Sequence, residues 1–477
     1  MTSVHAPDAA ALRRAFAGEL VTPADPGYDT ARAVWNGAVD HRPALLARCT
    51  GPEDVAAALD FARARGLEVS VRGGGHQTAG AAVCPDGLVL DLTRLDAVRV
   101  DPEARTVRCG GGTTLAALDA ATQAYGLAVP SGTVSHTGVG GLTLGGGIGW
   151  LTEEYGLSCD NLLAAETVLA DGRVLRAAAD QHPELFWALR GGGGNFGVVT
   201  EFTFRLHPVG PEVQLGLFFW DLADGDAVLR RLRETVPELP PGTGVFTGIG
   251  LAAPPMALVP PEHRGRPGHT LLVAGFDGPE AHARALAPLA EGPPALVERR
   301  APIPYRYLQR LLDDHAPYGI LAHDRALPLP VLDDAVLELL GAQLPRRSSP
   351  LTFCPSFRLD GAYIAVPEED TAFGGARRPC WVMNISALAL EPRRLRADAA
   401  WAAALWTELL PYAANPGGYV NFLAQGEQDR VRASYGPKYA RLAAAKARYD
   451  PGNVFHRNAN ILPEPGRGAG GAPSPPD

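Results

Sequence analysis

The run Leu67-Glu68-Val69-Ser70-Val71-Arg72-Gly73-Gly74-Gly75-His76 decides how the chain is read. Leu67, Val69 and Val71 alternate with polar residues, which predicts a strand. Three glycines follow it directly. Without Cβ atoms, their N–H groups are free to converge on an anion such as a pyrophosphate, and Arg72 is placed to add charge. Taken alone, the string fits equally well a turn followed by a surface histidine. Upstream, Pro52 to Ala64 predicts a helix: Pro52, Glu53 and Asp54 open it, Val55, Leu59 and Ala62 share a face, and Gly66 stops it. Downstream come strands at Leu88 to Leu92 and Thr106 to Cys109, then a helix from Thr114 to Tyr125 closed by Gly126.

Two further glycine runs extend the pattern. Gly138-Val139-Gly140-Gly141-Leu142-Thr143-Leu144-Gly145-Gly146-Gly147-Ile148-Gly149 costs much backbone entropy to order. A linker would carry Ser, Pro or charge between its glycines, so the Val, Leu and Ile here predict a buried loop held close to a flat ligand. The third run, Arg190-Gly191-Gly192-Gly193-Gly194-Asn195-Phe196-Gly197, contains a formal G-x-G-x-x-G. A dinucleotide fingerprint has a strand before it and a helix after it. Here the order is reversed: Pro183 and Leu185-Phe186-Trp187 predict a helix before, and alternating Val198, Phe202, Phe204 and Leu206 a strand after. This context argues against a Rossmann fold, and neither a P-loop nor a G-x-S-x-G elbow occurs.

A chain of 477 residues exceeds one ordinary core and predicts two or more domains. The apolar and charged fractions, 46% and 20%, are those of a folded protein, and 55 glycines and 43 prolines point to many tight turns. We expect an α+β chain with a mixed domain over residues 1–210, a second domain over 211–415 and a C-terminal return to the first over 416–463. A Pro/Gly/Ser-rich tail, 464–477, is expected to be disordered. Tyr419 to Leu423 reads as a short strand, and a helix follows with Pro437 at its start.

The net charge of −9 offers no footprint for nucleic acid. Six scattered cysteines without a C-x-x-C, and no Cys/His cluster at zinc spacing, predict neither a disulfide scaffold nor a metal site. No long apolar run suggests a membrane span or secretory signal, so cytoplasmic location is expected. Oligomeric state is left open.

The series Arg72 to His76, Pro130-Ser131-Gly132, Gly138 to Gly149, Asp160-Asn161-Leu162, Leu185 to Gly197, Tyr419-Val420-Asn421 and Tyr449-Asp450-Pro451-Gly452-Asn453-Val454-Phe455 resembles the berberine bridge enzyme-like family. These are FAD-linked oxidases of the vanillyl-alcohol oxidase (PCMH-type) fold. The resemblance runs from about Trp35 to Pro463 and is loose between Val213 and Asn415.

It implies a two-domain α+β fold in which the antiparallel sheet of an inserted substrate domain roofs the flavin. It also implies FAD joined covalently to His76 through the flavin 8α-methyl. Where many members carry a second attaching cysteine this chain has Val134, so a single link is expected; Cys159 lies in a different motif. Cofactor contacts are expected from Arg72, Gly73, Gly74, Gly75, Gln77, Gly80, Gly132, Thr133, Gly138, Gly141, Gly147, Val199, Asn421, Asn458 and Asn460. Thr137 occupies the oxygen-gating position, and Tyr419 is the candidate base; a phenol of ordinary pKa about 10 needs help to act as one. Tyr363 is a second substrate-facing candidate on position alone. The implied reaction takes a small-molecule alcohol, sugar or natural product and O2 to hydrogen peroxide. Oxygenation, oxidative ring closure and flavin binding without turnover are the alternatives.

Overall fold

Pro52 and the acids behind it start a helix at Pro52–Arg65, and Gly66 ends it in the left-handed conformation, φ 64°. That helix delivers the chain into the Val69–Arg72 strand and so to the first glycine run. The computed structural model describes residues 9–253, 255, 256, 258–423 and 426–464. Most of the expected tail lies outside the described residues.

Val69–Arg72 is the edge of a four-stranded sheet with Leu88–Asp91, Leu45–Arg48 and Glu19–Val21. Its three inner pairings include two parallel ones, Val69–Arg72 with Leu88–Asp91 and Leu45–Arg48 with Leu88–Asp91. The next sheet is antiparallel throughout, in the order Val98–Asp101, Thr106–Gly110, Val198–Arg205, Leu162–Val168, Val174–Ala178. The third glycine run enters it: Pro183–Leu189 is helical before the run and Val198–Arg205 is a strand after it. The reversed order expected from sequence is the order present.

From Glu212 the chain builds a seven-stranded antiparallel sheet, ordered Val297–Pro304, Glu212–Asp221, Gly268–Gly275, Gly244–Ile249, Cys354–Leu359, Cys380–Ala389, Leu321–Leu329. The two-residue period of a strand sorts its side chains. Leu215, Leu217 and Phe219 pack with Trp35, Ile148 and Trp150 toward the first lobe. Phe218 and Trp220 pack on the other face with Leu229, Val336 and Leu405 of three covering helices. Both faces are buried, each large side chain contributing about 1.5–3 kcal/mol of transfer free energy. The arrangement is the α+β one expected, with the seven-stranded sheet inserted between the two parts of the first lobe.

The last segment returns to the first lobe. Helix Tyr439–Tyr449 sets Leu442 and Ala445 against Leu185 and Leu189. Lys446 is fully buried, and its Nζ donates to the Asn195 and Phe455 carbonyls at 2.8 and 3.0 Å and to Asp450 Oδ2 at 2.6 Å. One ammonium thereby ties the third glycine run to the C-terminal strap, its buried charge matched by the carboxylate.

Two local expectations are corrected. Tyr419 to Leu423 is a 3₁₀ turn over Val420–Phe422, not a strand. The backbone closes on itself, Phe422 N–H donating to Tyr419 O at 2.9 Å, and does not pair with the edge strand Leu321–Leu329 that lies against it. Half of the second glycine run is also not loop: Val139–Leu144 is helical, because Val139, Thr143 and Leu144 turn one side into the core.

Candidate active site

Three glycine loops and the seven-stranded sheet wall one cavity of about 390 Å³. Gly73–Gly75, Gly138 with Gly140 and Gly141, and Gly193 with Gly194 all line it. The first two loops touch backbone to backbone: a Cβ on Gly74 would stand 2.3 Å from Gly138 N. Such an approach requires glycine. The N–H groups of Gly73, Gly74, Gly75 and His76 meet no acceptor among the described residues. Four open donors in succession fit the pyrophosphate of a dinucleotide. Asn458 adds a buried Oδ1 without a partner, while its Nδ2 donates to Gly194 O at 2.9 Å. The residues present fit FAD.

His76 stands where the first loop meets the sheet lobe. Trp35 stacks on its ring at 4.7 Å and 17°, and His136 Nδ1 lies 3.2 Å from its Nε2. Burial, reinforced by the neighbouring His136, pushes the His76 pKa down to about 3. The ring is therefore neutral at physiological pH, with a lone pair available as a nucleophile. Val134 lines the cavity at the place of the second attaching cysteine. Cys159 is fully buried away from it, and burial raises its thiol pKa.

Tyr419 projects from the 3₁₀ turn, 7% exposed. Its phenol oxygen accepts from Gly147 N–H at 2.8 Å and from Asn421 Nδ2 at 2.7 Å. Burial raises its pKa, and these two hydrogen bonds pull the other way. No cation contributes. Two donors on one phenol oxygen support negative charge there.

Beyond Tyr419 the wall is aromatic and apolar: Phe246, Phe353, Phe357, Leu312 and Leu388. His315 and one polar cluster interrupt it. Asp324 accepts from Asn384 Nδ2 at 2.9 Å and Ser386 Oγ at 2.7 Å, and from Thr78 Oγ1 of the first lobe. No cation pairs with this carboxylate among the described residues.

Of the residues singled out from sequence, His76, Gly73, Gly74, Gly75, Gln77, Gly132, Thr133, Thr137, Gly138, Gly141, Val199, Tyr419, Asn421 and Asn458 line the cavity. Gln77 is braced by Leu423 O at 2.9 Å. Four others stand behind the wall. Arg72 is spent on Asp91 at 2.5 Å and on the Ala31 carbonyl, so it is not the anion ligand expected. Gly80 turns the chain at φ 72° against Val39, and Gly147 holds Tyr419 through its amide. Asn460 keeps a buried Oδ1 without a partner outside the cavity lining. Tyr363 is buried, donates to Ala376 O at 2.8 Å and does not line the cavity either.

Sequence reasoning missed Trp35, His136, Tyr318 and Asp324. His136 lies between two of the family motifs, Pro130-Ser131-Gly132 and Gly138 to Gly149. Tyr318 and Asp324 are brought in across hundreds of residues: Tyr318 Oη donates to Gly74 O at 2.6 Å, with no local motif around it.

Comparison with known proteins agrees with this geometry. A family profile described as "FAD binding domain" matches residues 43–178, and one described as "Berberine and berberine like" matches 418–462. With the fold above, these define an FAD-linked oxidoreductase of the PCMH type. An FAD-linked oxidoreductase of Dictyostelium discoideum is 31% identical over 434 residues, covering 90% of this chain and 91% of that protein. The (R)-6-hydroxynicotine oxidase of Paenarthrobacter nicotinovorans is 31% identical over 468 residues, covering 94% and 97%. The crystal structure of 6-hydroxy-D-nicotine oxidase from Arthrobacter nicotinovorans superposes with TM-score 0.84 at 28% identity, covering 94% of this chain and 98% of that one. The chain belongs to the berberine bridge enzyme-like family. Among the described residues no helix is long and apolar enough to cross a membrane, and no metal-binding cluster occurs.

Proposed function

We propose that the chain is an oxidase holding FAD through a single covalent bond to His76, and that it oxidises a small alcohol, sugar or natural-product substrate with O2 as acceptor. The observation that carries the covalent reading is the neutral, Trp35-stacked imidazole at the junction of cavity and glycine loop. When bound, the flavin supplies a hydride acceptor at N5 and a route for two electrons to O2, giving hydrogen peroxide.

The chain supplies the rest. The Gly73–His76 amides hold the diphosphate, and an imidazole substituent on the ring makes the flavin more oxidising while fixing it against the substrate. Tyr419 takes the substrate proton, its developing charge met by Gly147 N–H and Asn421. Asp324, with Asn384 and Ser386, is an acceptor in a wall lined mainly by apolar and aromatic side chains, which suits a substrate with an apolar body and a hydroxyl or amine donor. Thr137, small and lining the cavity, leaves the flavin edge open to O2. The name of the hydroxynicotine-oxidising relative supports a compact organic substrate rather than a polymer.

Oxygen consumption over a panel of such compounds, with peroxide measured in parallel, tests the reading. One peroxide per product is expected. Label from ¹⁸O2 in the product would replace it with oxygenation, and a flavin that no compound bleaches would replace it with binding alone.

A further inference from the structure

His136 lies two residues before the second glycine run, and nothing in the proposed turnover uses it. Its Nδ1 lies 3.2 Å from His76 Nε2, and the two rings are 5.0 Å apart at 32°. Tyr318 packs at 5.2 Å from His136 and edge-on to His76, while Trp35 covers the other face of His76. Neither imidazole has an ion-pair partner among the described residues. The His76 ring is thus clamped, and one of its two nitrogens is committed to a second imidazole.

Two neutral imidazoles in contact share one proton, and which ring donates is set by what the far nitrogen meets. The Asp313 carboxylate and the main-chain carbonyls of Ala316 and Asp313 favour a proton on His136, whereas only the residue's own carbonyl acts that way on His76. Of the two rings in contact, His136 is therefore the better seat for the shared proton, and a proton passed to it leaves His76 through Nε2.

We propose that His136 is the positioning base for flavin attachment: it holds the His76 ring through Nε2 and takes up the Nε2 proton as His76 Nδ1 bonds to the flavin. This rests on the covalent link proposed above. The bond made joins His76 Nδ1 to the 8-methyl carbon of the isoalloxazine. One C–H bond of that methyl and the His76 N–H are broken, two electrons pass into the flavin ring, and O2 accepts them with the two protons as hydrogen peroxide. Without a base, the attack leaves an imidazolium in a site whose burial disfavours charge. A base 3.2 Å away removes that obstacle.

The test uses FAD-free protein from riboflavin-starved cells, mixed with FAD. Covalent loading is followed by intact mass, and non-covalent binding by flavin fluorescence quenching. His136→Phe keeps a ring against Tyr318 and removes the nitrogens; His136→Ala vacates the space. Both are expected to bind FAD with wild-type affinity and to load about 100-fold more slowly, at the low end of the general-base range. Added imidazole should restore loading in His136→Ala but not in His136→Phe. Loading of His136→Phe at the wild-type rate overturns the role of His136 alone, and so does parallel loss of non-covalent binding in both variants, which marks a structural part. Wild-type protein that takes up no covalent flavin overturns the attachment and this role together.

Discussion

Tyr419→Phe separates chemistry from packing. The ring stays, tilted against Phe373 at 6.1 Å and edge-on to Phe422 at 5.1 Å, so no cavity opens. Only the phenol oxygen is lost, and with it the acceptor for Gly147 N–H and one of two for Asn421 Nδ2, which keeps Leu142 O at 3.1 Å. One buried amide is orphaned, a stability cost of about 1–3 kcal/mol. The kinetic effect is larger. Losing a positioned proton acceptor costs about 10²–10⁴ in rate, which is roughly 2.7–5.5 kcal/mol on the barrier. Anaerobic stopped-flow bleaching of the flavin by substrate reads that step directly, and the flavin-to-protein ratio checks that the site is loaded. A fully loaded Tyr419→Phe that is reduced within about threefold of wild type, under 1 kcal/mol, refutes Tyr419 as the proton acceptor.

Gly74→Ala drives a Cβ to 2.3 Å from Gly138 N and 3.2 Å from Thr137 C, backbone against backbone with no side chain to yield. The two loops must part, at about 1–3 kcal/mol or more in stability, and purified protein should carry little flavin; full flavin content would contradict the convergence of the loops on the cofactor. Acid should destabilise the fold through His269, buried in the sheet lobe, whose pKa burial pushes down to about 4. The unfolded chain binds that proton near 6.5, so stability present above pH 6.5 is lost as pH falls toward 4, by about 3 kcal/mol. Urea unfolding at pH 7 and pH 4.5 should show this slope, and His269→Gln should flatten its share of it; an unchanged slope in the variant would remove His269 from the account.

What was legible in the sequence was what local physics decides. Pro52 and Gly66 bound a helix by their backbone limits alone, and the order of helix and strand about the third glycine run told against a Rossmann site before any contact was known. The glycine runs also named most of the cavity wall, because close backbone approach leaves a compositional trace. Arg72 was misjudged for the opposite reason. Its partner Asp91 is set by pairing with a neighbouring strand, and a charge beside a glycine run looks the same whether it is free or spent. Tyr419 to Leu423 has strand-like residues but turns back on itself beside the edge strand Leu321–Leu329 instead of pairing with it, which only the tertiary fold decides. Asp324 and Tyr318 reach the site from the inserted lobe, through contacts 246 and 244 residues apart in sequence. No local pattern carries such information.

The attachment of FAD to His76 is the claim on which the rest depends. Trypsin cleaves after Arg72 and Arg94 and releases residues 73–94, in which His76 is the only histidine. Mass spectrometry of that peptide from acid-precipitated wild-type protein should find it carrying the flavin, with fragmentation placing the added mass on His76. An unmodified peptide, with the yellow chromophore left free in the acid supernatant, would contradict the account.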